Sequence, residues 1–216
     1  MSDLPRDLFQ RYDNAPDEQF YTQPRLVTHI DEGAIAAVTG LYREFFPSGG
    51  AILDLMSSWV SHLPPEVAYG RVVGLGMNAA ELDANPRLDE RVVQNLNRAS
   101  RLPFQDGAFD AAGCCVSVQY LIDPVAVFRE VGRALKPGAP FVVTFSNRCF
   151  PTKAVAVWQS LDDEGHKQLV EQYLEAAGNW VGIETRDHRG GRWRGDPLYA
   201  VIGRATGSQL PAAGYR

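Results

Sequence analysis

The sequence is short of cysteine, of excess positive charge and of long apolar segments. Its 216 residues include 3 cysteines, two of them adjacent at positions 114 and 115, so the disulfide framework of a small secreted protein is excluded. Acidic residues (26) outnumber basic residues (21), and with this net charge of −5 nucleic acid is an unlikely partner. No apolar run approaches the roughly 18 residues of a membrane span, and no secretory signal is visible. We therefore expect a cytoplasmic protein with no membrane segment.

The apolar residues, 45% of the chain, form short runs separated by turns and helical patterns. The runs that are interpreted as strands lie at residues 51–55, 71–75, 91–94, 109–116, 141–145, 180–185 and 198–203. Strands that are apolar on both faces and alternate with helices indicate a parallel sheet covered on both sides. The last two strands are joined too closely for a helical crossover, so they are predicted to form an antiparallel pair.

Residues that cap helices mark where the helices between these strands begin. Helices are predicted after Asp31, after Ser57 and Ser58, after Asn78, after Asp123, and over residues 153–177 with a break near Asp162. Glu81 follows Asn78 at the spacing of a capping box.

The chain divides into three parts. A polar, proline-punctuated segment with several aromatic residues is interpreted as an arm or lid over residues 1–30. The α/β domain is predicted for residues 31–205, and a flexible tail for residues 206–216. In open sheets of this kind, ligands bind beyond the carboxyl ends of the strands. The candidate site therefore comprises the residues after the strands, at 54–58, 76–78, 95–97, 115–119 and 145–148.

Two motifs carry a family resemblance. Residues 102–110 read LPFQDGAFD, and residues 128–138 read FREVGRALKPG. They resemble the LPF-x-D-x-x-FD and E-x-x-R-x-L-K-P-G segments of class I S-adenosylmethionine-dependent methyltransferases, and more narrowly those of the small-molecule type 11 group. The resemblance covers roughly residues 31–205. It implies a Rossmann-like fold, S-adenosylmethionine as cofactor and a small-molecule methyl acceptor.

The cofactor motifs depart from the pattern of that family. The first motif of the family is D-x-G-x-G-x-G, whereas residues 54–60 read DLMSSWV and contain no glycine. The acid that the family tends to place at the end of the second strand is Gly76 here, and Asn95 stands where an acid often follows the third strand. These departures leave open an alternative: a catalytically degenerate relative that serves as a binding or regulatory protein.

The resemblance implies roles for the residues at the strand ends. Ser57 and Ser58 are predicted to hold the carboxylate of the cofactor, with Asp54 orienting the loop or facing its ammonium group. Asn78 or Glu81 could reach the ribose, although both also read as plain capping residues. Asn95 and Leu96 would contact the adenine. The predicted cofactor-binding residues are Asp54, Met56, Ser57, Ser58, Gly76, Met77, Asn78, Asn95, Leu96, Cys115 and Val116.

Methyl transfer is an in-line displacement in which the protein mainly aligns the reactants and excludes water. A base is needed only when the acceptor must lose a proton. No catalytic residue is therefore assigned, and His29 and His62 are weak candidates, because a lone histidine is more often structural. Predicted acceptor-site residues are Tyr21, Arg25, Gln119, Tyr120, Asn147 and Arg148. An arginine there suits a carboxylate or phosphate, or lies in a solvated turn.

Other functions have less support. A nicotinamide-dependent oxidoreductase would carry G-x-G-x-x-G after the first strand, and this chain does not. No metal site is expected, since the Cys, His and acidic residues do not cluster at ligand spacing. The basic residues 189–194 could touch RNA, but a solvated loop is favoured. Nothing in the sequence indicates an oligomeric state.

Overall fold

A seven-stranded sheet forms the centre of the computed structural model, which describes residues 5–188 and 195–207. The strands are β1 Ala51–Leu55, β2 Arg71–Gly76, β3 Glu90–Val93, β4 Ala111–Cys115, β5 Pro140–Phe145, β6 Trp180–His188 and β7 Leu198–Ala205. The helices are α1 Asp17–Phe20, α2 Glu32–Phe45, α3 Ala79–Ala84, α4 Pro124–Ala134, α5 Ala156–Gln159 and α6 Asp163–Ala177.

The strands are ordered β3-β2-β1-β4-β5-β7-β6. Every pair among β1 to β5 is parallel, and β7 runs antiparallel to both β5 and β6. The sequence-based prediction of a mostly parallel, Rossmann-like sheet with an antiparallel last strand is confirmed. The order reverses at β1, so the crevice between β1 and β4 is the expected ligand position.

Successive side chains along each strand point to opposite faces of the sheet, where they pack into two apolar layers. In β1, Ile52 packs into the layer under α2 and α3, whereas Leu53 packs into the layer under α4 and α6. Both side chains are fully buried. The central strands β1, β2, β4 and β5 are therefore buried on both faces, which is why they appear in the sequence as nearly continuous apolar runs.

The predicted capping residues start three of the long helices. The side chains of Asp31, Asp123 and Asp162 each accept a hydrogen bond from the backbone N–H three residues later, at 2.8, 3.1 and 2.8 Å. The predicted break near Asp162 separates α5 from α6. These caps satisfy backbone donors that the first helical turn leaves unpaired.

The helix predicted after Ser57 and Ser58 is wrong, because residues 56–70 form an irregular loop without a helix. The Ser57 N–H donates to the Leu75 carbonyl at 2.8 Å, and its hydroxyl donates to Asp54 at 2.5 Å. Both capping groups of Ser57 are thus engaged in tertiary contacts. The loop therefore packs against β2 and does not form a helix.

The two family-like motifs interlock away from the cavity. The Arg133 guanidinium donates to Glu130 at 2.7 Å, to Asp106 at 2.7 Å and to the Phe104 carbonyl at 2.8 Å. Glu130 in turn accepts the Leu102 N–H at 3.0 Å. These residues fasten the segment before β4 to α4, so the motifs are structural.

The arm crosses the carboxyl-terminal edge of the sheet. Residues 5–30 contain a 3₁₀ turn over Arg6–Phe9 and the short helix α1. The basic segment 189–194 and residues 208–216 of the predicted tail lie outside the described residues. Across residues 5–188 and 195–207, no helix combines the length and apolar character needed to cross a membrane.

Candidate active site

A cavity of about 290 Å³ lies at the carboxyl-terminal edge of the sheet, between the strand ends and the N-terminal arm. This size is near the lower end of the roughly 300–1,000 Å³ typical of small-molecule pockets. All of the residues predicted to bind the cofactor line it: Asp54, Met56, Ser57, Ser58, Gly76, Met77, Asn78, Asn95, Leu96, Cys115 and Val116. The structure therefore brings these residues together, and their role stays a prediction.

The chain turns sharply as it leaves β1. Met56 has a left-handed backbone, with a φ of 55°, where the resembled motif has its first glycine. A left-handed backbone costs a residue with a Cβ roughly 1–2 kcal/mol. The turn is thus made without glycine, and the side chain of Met56 packs against the core.

The loop after this turn contains backbone donors that have no protein partner among the described residues. Ser58, Trp59 and Val60 all line the cavity, and within the described parts of the chain their N–H groups have no protein acceptor. Successive backbone N–H groups form concave anion sites in many proteins. The loop can therefore accept a carboxylate although the Ser57 donors, predicted for that role, are engaged elsewhere.

Asp54 is a buried carboxylate at the end of β1. Its Oδ2 atom accepts the hydroxyls of Ser57 at 2.5 Å and Ser61 at 2.7 Å. Burial raises the pKa of Asp54 to about 6, although both hydroxyls act to lower it. The two hydroxyl contacts tie the carboxyl group to the loop after β1.

Gly76 is a glycine because the loop lies directly against it. A Cβ at this position would be 2.2 Å from the Ser57 carbonyl oxygen and 3.2 Å from the Leu82 side chain. No acidic side chain fits at the end of β2 while the loop keeps this path. The departure of Gly76 from the family pattern thus has a steric cause.

The capping box predicted for Asn78 and Glu81 is only half formed. Asn78 Oδ1 accepts the Glu81 N–H at 3.1 Å, as a capping residue should. The Glu81 carboxylate, however, accepts the Arg25 N–H and the Ser58 hydroxyl, both at 2.7 Å. The amide of Asn78 donates to the Tyr21 carbonyl at 2.8 Å. Both residues therefore join the domain to the arm.

The residues after β3 also contact the arm. Asn95 donates to Glu18 at 3.0 Å, and Asn97 donates to Asp17 at 2.9 Å. Leu96, between them, is buried on the cavity wall. This end of the cavity therefore has an apolar wall at Leu96, while the neighbouring amides are engaged with the arm.

The end of β4 supplies strained backbone and buried thiols. Val116 has a φ of 42°, which is rare for a β-branched residue. Burial raises the pKa of Cys115 to about 12 and that of Cys114 still higher, so both thiols stay protonated and unreactive.

Backbone strain is concentrated at this cavity. Across the described ranges, the non-glycine residues with positive φ are Met56, His62 and Val116, and all three line it. Such strain persists only where the surrounding structure imposes it, and it gathers at ligand sites. The concentration marks the cavity as a candidate functional site.

The predicted acceptor residues divide into two groups. Tyr21, Arg25, Tyr120 and Arg148 line the cavity, whereas Gln119 and Asn147 do not. Gln119 is buried, and its amide donates to the Val116 carbonyl at 2.9 Å. Asn147 is exposed on the segment after β5.

The two arginines of the acceptor group have different partners. Arg148 pairs with Asp196 at 2.8 Å and is largely exposed. The Arg25 guanidinium stacks on Phe20 at 4.3 Å and has no acidic partner within 4 Å in the described ranges. Arg25 is therefore the cavity cation free to bind an anionic group.

His29 and His62 both line the cavity. Burial lowers the pKa of both imidazoles. At His29, the nearby Glu81 carboxylate opposes this shift in part. Both imidazoles are therefore neutral at neutral pH and able to accept a proton. His29 packs edge-on against Phe150, with ring centroids 5.3 Å apart.

One polar cluster under the arm has no signal in the sequence pattern. Asp17 accepts the guanidinium of Arg11 at 2.6 Å and lies 3.4 Å from Lys153, which is fully buried. Asp17 and Arg11 line the cavity. Lys153 is more than 130 residues away in sequence, so only the folded chain brings the three together.

Comparison with known proteins adds to this geometry. A family model described as a methyltransferase domain matches residues 57–143, which contain both sequence motifs. The demethylmenaquinone methyltransferase of Lactiplantibacillus plantarum is 30% identical over 122 residues, 52% of this chain and 52% of that enzyme. The chain thus spans about half the length of this relative, and 25% and 27% of two further curated relatives.

Solved structures show the same fold at low identity. In a complex of the Haloferax volcanii Trm112 methyltransferase activator with a methyltransferase, one chain matches with a TM-score of 0.63 at 16% identity. The match covers 83% of this chain and 92% of that one. An S-adenosylmethionine-dependent methyltransferase from Mesorhizobium loti matches with a TM-score of 0.54 at 16% identity, over 76% and 96% of the two chains. These structures share the fold, and the family model over residues 57–143 agrees with the resemblance drawn from the motifs.

Proposed function

We propose that this chain is a class I S-adenosylmethionine-dependent methyltransferase that transfers the cofactor's methyl group to a small molecule held in the cavity. The observation that carries the proposal is the loop after β1. It has no glycine at the positions of the family motif, and the N–H groups of its cavity-lining residues Ser58, Trp59 and Val60 have no protein acceptor in the described ranges.

The residues of the cavity fit the cofactor. The unused N–H groups of residues 58–60 suit its carboxylate. Leu96 and Met77 give an apolar wall near the ends of β2 and β3, which suits a purine. The fit differs from the family pattern at Gly76, where the nearby loop excludes an acid.

When bound, S-adenosylmethionine supplies a methyl group attached to a sulfonium sulfur. Transfer of that methyl group leaves a neutral thioether. The chain's own contribution is alignment and exclusion of water. Arg25 is proposed to bind an anionic group of the acceptor, since it is the cavity arginine without an acidic partner in the described ranges. His29 is proposed to accept a proton from an acceptor that must lose one.

The proposal includes the division of the chain predicted from sequence. Residues 1–30 serve as an arm, residues 31–205 as the methyltransferase domain and residues 206–216 as a tail. Contacts of Asn78 and Glu81 with the arm support a lid function, because they join it to the cavity wall. A cytoplasmic location, expected from the unpaired cysteines, is part of the same proposal.

Thermal unfolding with S-adenosylmethionine or S-adenosylhomocysteine tests the proposal. A ligand at 100 times its Kd stabilises the native state by about 2.7 kcal/mol, which is readily measured. Both compounds are expected to raise the Tm, while NAD serves as the control nucleotide and should not. No shift with either compound at millimolar concentration would favour the alternative of a degenerate binding protein, for which the crowded Ser57–Gly76 contact is the supporting observation.

A truncated ligand tests the loop specifically. The decarboxylated analogue of S-adenosylhomocysteine keeps the nucleoside and the amine but lacks the carboxylate, so it cannot use the N–H groups of residues 58–60. Hydrogen bonds to charged groups contribute about 1.5–3 kcal/mol, so its affinity should be at least about tenfold lower than that of S-adenosylhomocysteine. Equal affinities would show that the loop does not bind the carboxylate.

A further inference from the structure

The arm contributes two arginines to the cavity wall, and neither uses all of its donors. The side chain of Arg11 is 8% exposed, and its Nη1 atom donates to Asp17 at 2.6 Å, but its buried Nε atom has no hydrogen-bond partner in the described ranges. Arg25 Nη2 donates to the Phe20 carbonyl at 2.8 Å, and its buried Nη1 atom likewise has no partner there. Both arginines line the cavity. Because a buried donor without an acceptor is unfavourable, a ligand that accepts from both groups would gain affinity.

The two arginines lie in one cluster of charges. Lys153, which is fully buried, is 3.4 Å from the Asp17 carboxylate that pairs with Arg11. The Lys153 ammonium is 5.5 Å from the centre of the Phe20 ring, and the Arg25 guanidinium lies 4.3 Å from the centre of the same ring. Asp17 and Phe20 thus hold the two guanidinium groups in one region under the arm.

The charges of this cluster do not cancel. Its members are three cations and two carboxylates, namely Arg11, Arg25, Lys153, Asp13 and Asp17. Glu81 also contacts Arg25, but it accepts the backbone N–H and not the guanidinium. The cluster therefore carries one net positive charge, which a monoanion in the cavity would balance.

Aromatic rings form the cavity wall beside these arginines. Tyr21, Tyr120 and Phe150 all line the cavity. The rings of Tyr120 and Phe150 are stacked with their centroids 5.8 Å apart, and the Arg25 guanidinium lies 5.3 Å from the Phe150 centroid. Aromatic side chains attract a further planar ring by offset or edge-on stacking. A ring attached to an anionic group at the arginines would therefore contact this wall.

We propose that the methyl acceptor is an aromatic carboxylic acid, and that Arg11 and Arg25 together bind its carboxylate. A carboxylate is planar and accepts on two oxygens, which suits two guanidinium N–H donors. Its single charge balances the cluster, whereas a phosphate monoester carries about 1.5 to 2 negative charges near pH 7. This inference rests on the proposed function, since it names the class of substrate that the same cavity takes.

Titration of four small probes into the full chain, with and without S-adenosylhomocysteine, tests the proposal. Benzoate carries both proposed features, and benzamide replaces its carboxylate with a neutral amide of the same shape. Cyclohexanecarboxylate keeps the carboxylate without the planar ring, and phenyl phosphate exchanges the carboxylate for a phosphate. Ligand-detected NMR measures the Kd of each probe.

The wild type is expected to bind benzoate at least about tenfold more tightly than benzamide, because hydrogen bonds to a charged group are the stronger ones. Benzoate should also bind about threefold more tightly than cyclohexanecarboxylate, because its ring stacks on the aromatic wall. Phenyl phosphate should bind no more tightly than benzoate. Saturating S-adenosylhomocysteine should not displace benzoate, since the two occupy different parts of the cavity.

Lysine variants separate the guanidinium donors from the positive charge. Arg11→Lys and Arg25→Lys each keep the charge but lose the planar set of N–H groups. Each should weaken benzoate about fivefold or more and change the affinity for benzamide less than about twofold. The matched control is Arg98→Lys, because Arg98 is exposed, contacts Glu18 of the arm and does not line the cavity. It should leave both affinities unchanged.

Other outcomes contradict the proposal in distinguishable ways. Equal affinities of the wild type for benzoate and benzamide would overturn it, even if a variant fails to fold. Lysine variants that weaken both probes equally, or neither, would show that the arginines do not bind the carboxylate. Tighter binding of phenyl phosphate, no preference for the aromatic ring, or displacement of benzoate by S-adenosylhomocysteine would each overturn the assignment of an aromatic acid as acceptor. If S-adenosylhomocysteine binds and benzoate does not, only this inference fails, whereas a chain that does not bind S-adenosylhomocysteine would overturn the proposed function.

Discussion

Two regions of the molecule differ in how closely they follow the family pattern, namely the segment before β4 with α4, and the strand ends at the cavity. Residues 102–138 match both structural motifs, and Arg133 there satisfies Glu130, Asp106 and the Phe104 carbonyl at once. Residues 54–81 lack the glycine motif and hold the buried Asp54, the left-handed Met56 and the crowded Gly76. The charged groups of the first region are paired with each other, whereas the second region contains a strained backbone at Met56 and a buried carboxyl group at Asp54.

This difference has a physical meaning. Groups that hold the frame have their partners within the chain, so removing one leaves the others unpaired. Groups at the cavity are only partly satisfied by the protein, which is typical of sites that complete their contacts with a ligand. Substitutions in the two regions should therefore change stability in opposite directions.

The largest effect is expected in the frame. Arg133→Ala leaves the partly buried Glu130 and two carbonyl groups without their donor, and should lower the free energy of unfolding by about 3 kcal/mol. Urea denaturation measures the change. Arg129→Ala, on the exposed side of the same helix, is the matched control and should cost less than about 1 kcal/mol. Similar losses in both variants would remove the distinction between frame and surface.

The second prediction is a substitution that raises the free energy of unfolding, namely Asp54→Asn at the cavity. With a native pKa of about 6, against 3.8 for the free group, Asp54 binds its proton more tightly in the folded than in the unfolded state. The free energy of unfolding therefore falls as the pH rises from about 4 to about 6. Asp54→Asn cannot ionise, so above about pH 6 it should be more stable than the wild type by about 2 kcal/mol.

Urea denaturation at a series of pH values measures this difference between variant and wild type. Subtracting the wild-type curve removes the contributions of carboxylates with lowered pKa, such as Asp13, Asp31 and Glu130. Asp83 is an exposed carboxylate, so Asp83→Asn should show no gain in the free energy of unfolding relative to the wild type over the same pH interval. A variant that is less stable than the wild type at pH 7 would show that the ionised Asp54 is stabilising.

The smallest effect concerns the turn at Met56. Met56→Ala removes the side chain and keeps the left-handed strain, whereas Met56→Gly removes both. The glycine variant should therefore be more stable than the alanine variant by about 1 kcal/mol, and chemical denaturation of the pair isolates the backbone contribution. A more stable alanine variant would mean that the turn carries no such strain.

The fold could be predicted because the central strands are buried on both faces and the three long helices begin at aspartate caps. The loop over residues 56–70 was mispredicted because its serines bond to Asp54 and β2 instead of capping a helix. Such tertiary partners compete with local capping and leave no mark in the pattern.

Only some of the residues that line the cavity could be predicted, because tertiary contacts again leave no mark in the sequence pattern. Strand ends are visible in the sequence, so the residues that follow them were placed correctly at one edge. Gln119 follows β4 as well, but its amide turns back to the Val116 carbonyl. The arm residue Asp17 and its partner Arg11 could not be predicted, since Asp17 contacts Lys153 and Asn97, which are distant in the chain.

A crystal structure of the protein grown with S-adenosylhomocysteine tests the central claim most directly, namely that a loop without glycine still forms a cofactor site. The account predicts ligand density in the cavity, with the carboxylate at the N–H groups of residues 58–60. An empty cavity at saturating ligand, or a ligand bound elsewhere while the Ser57 carbonyl stays against Gly76, would contradict it.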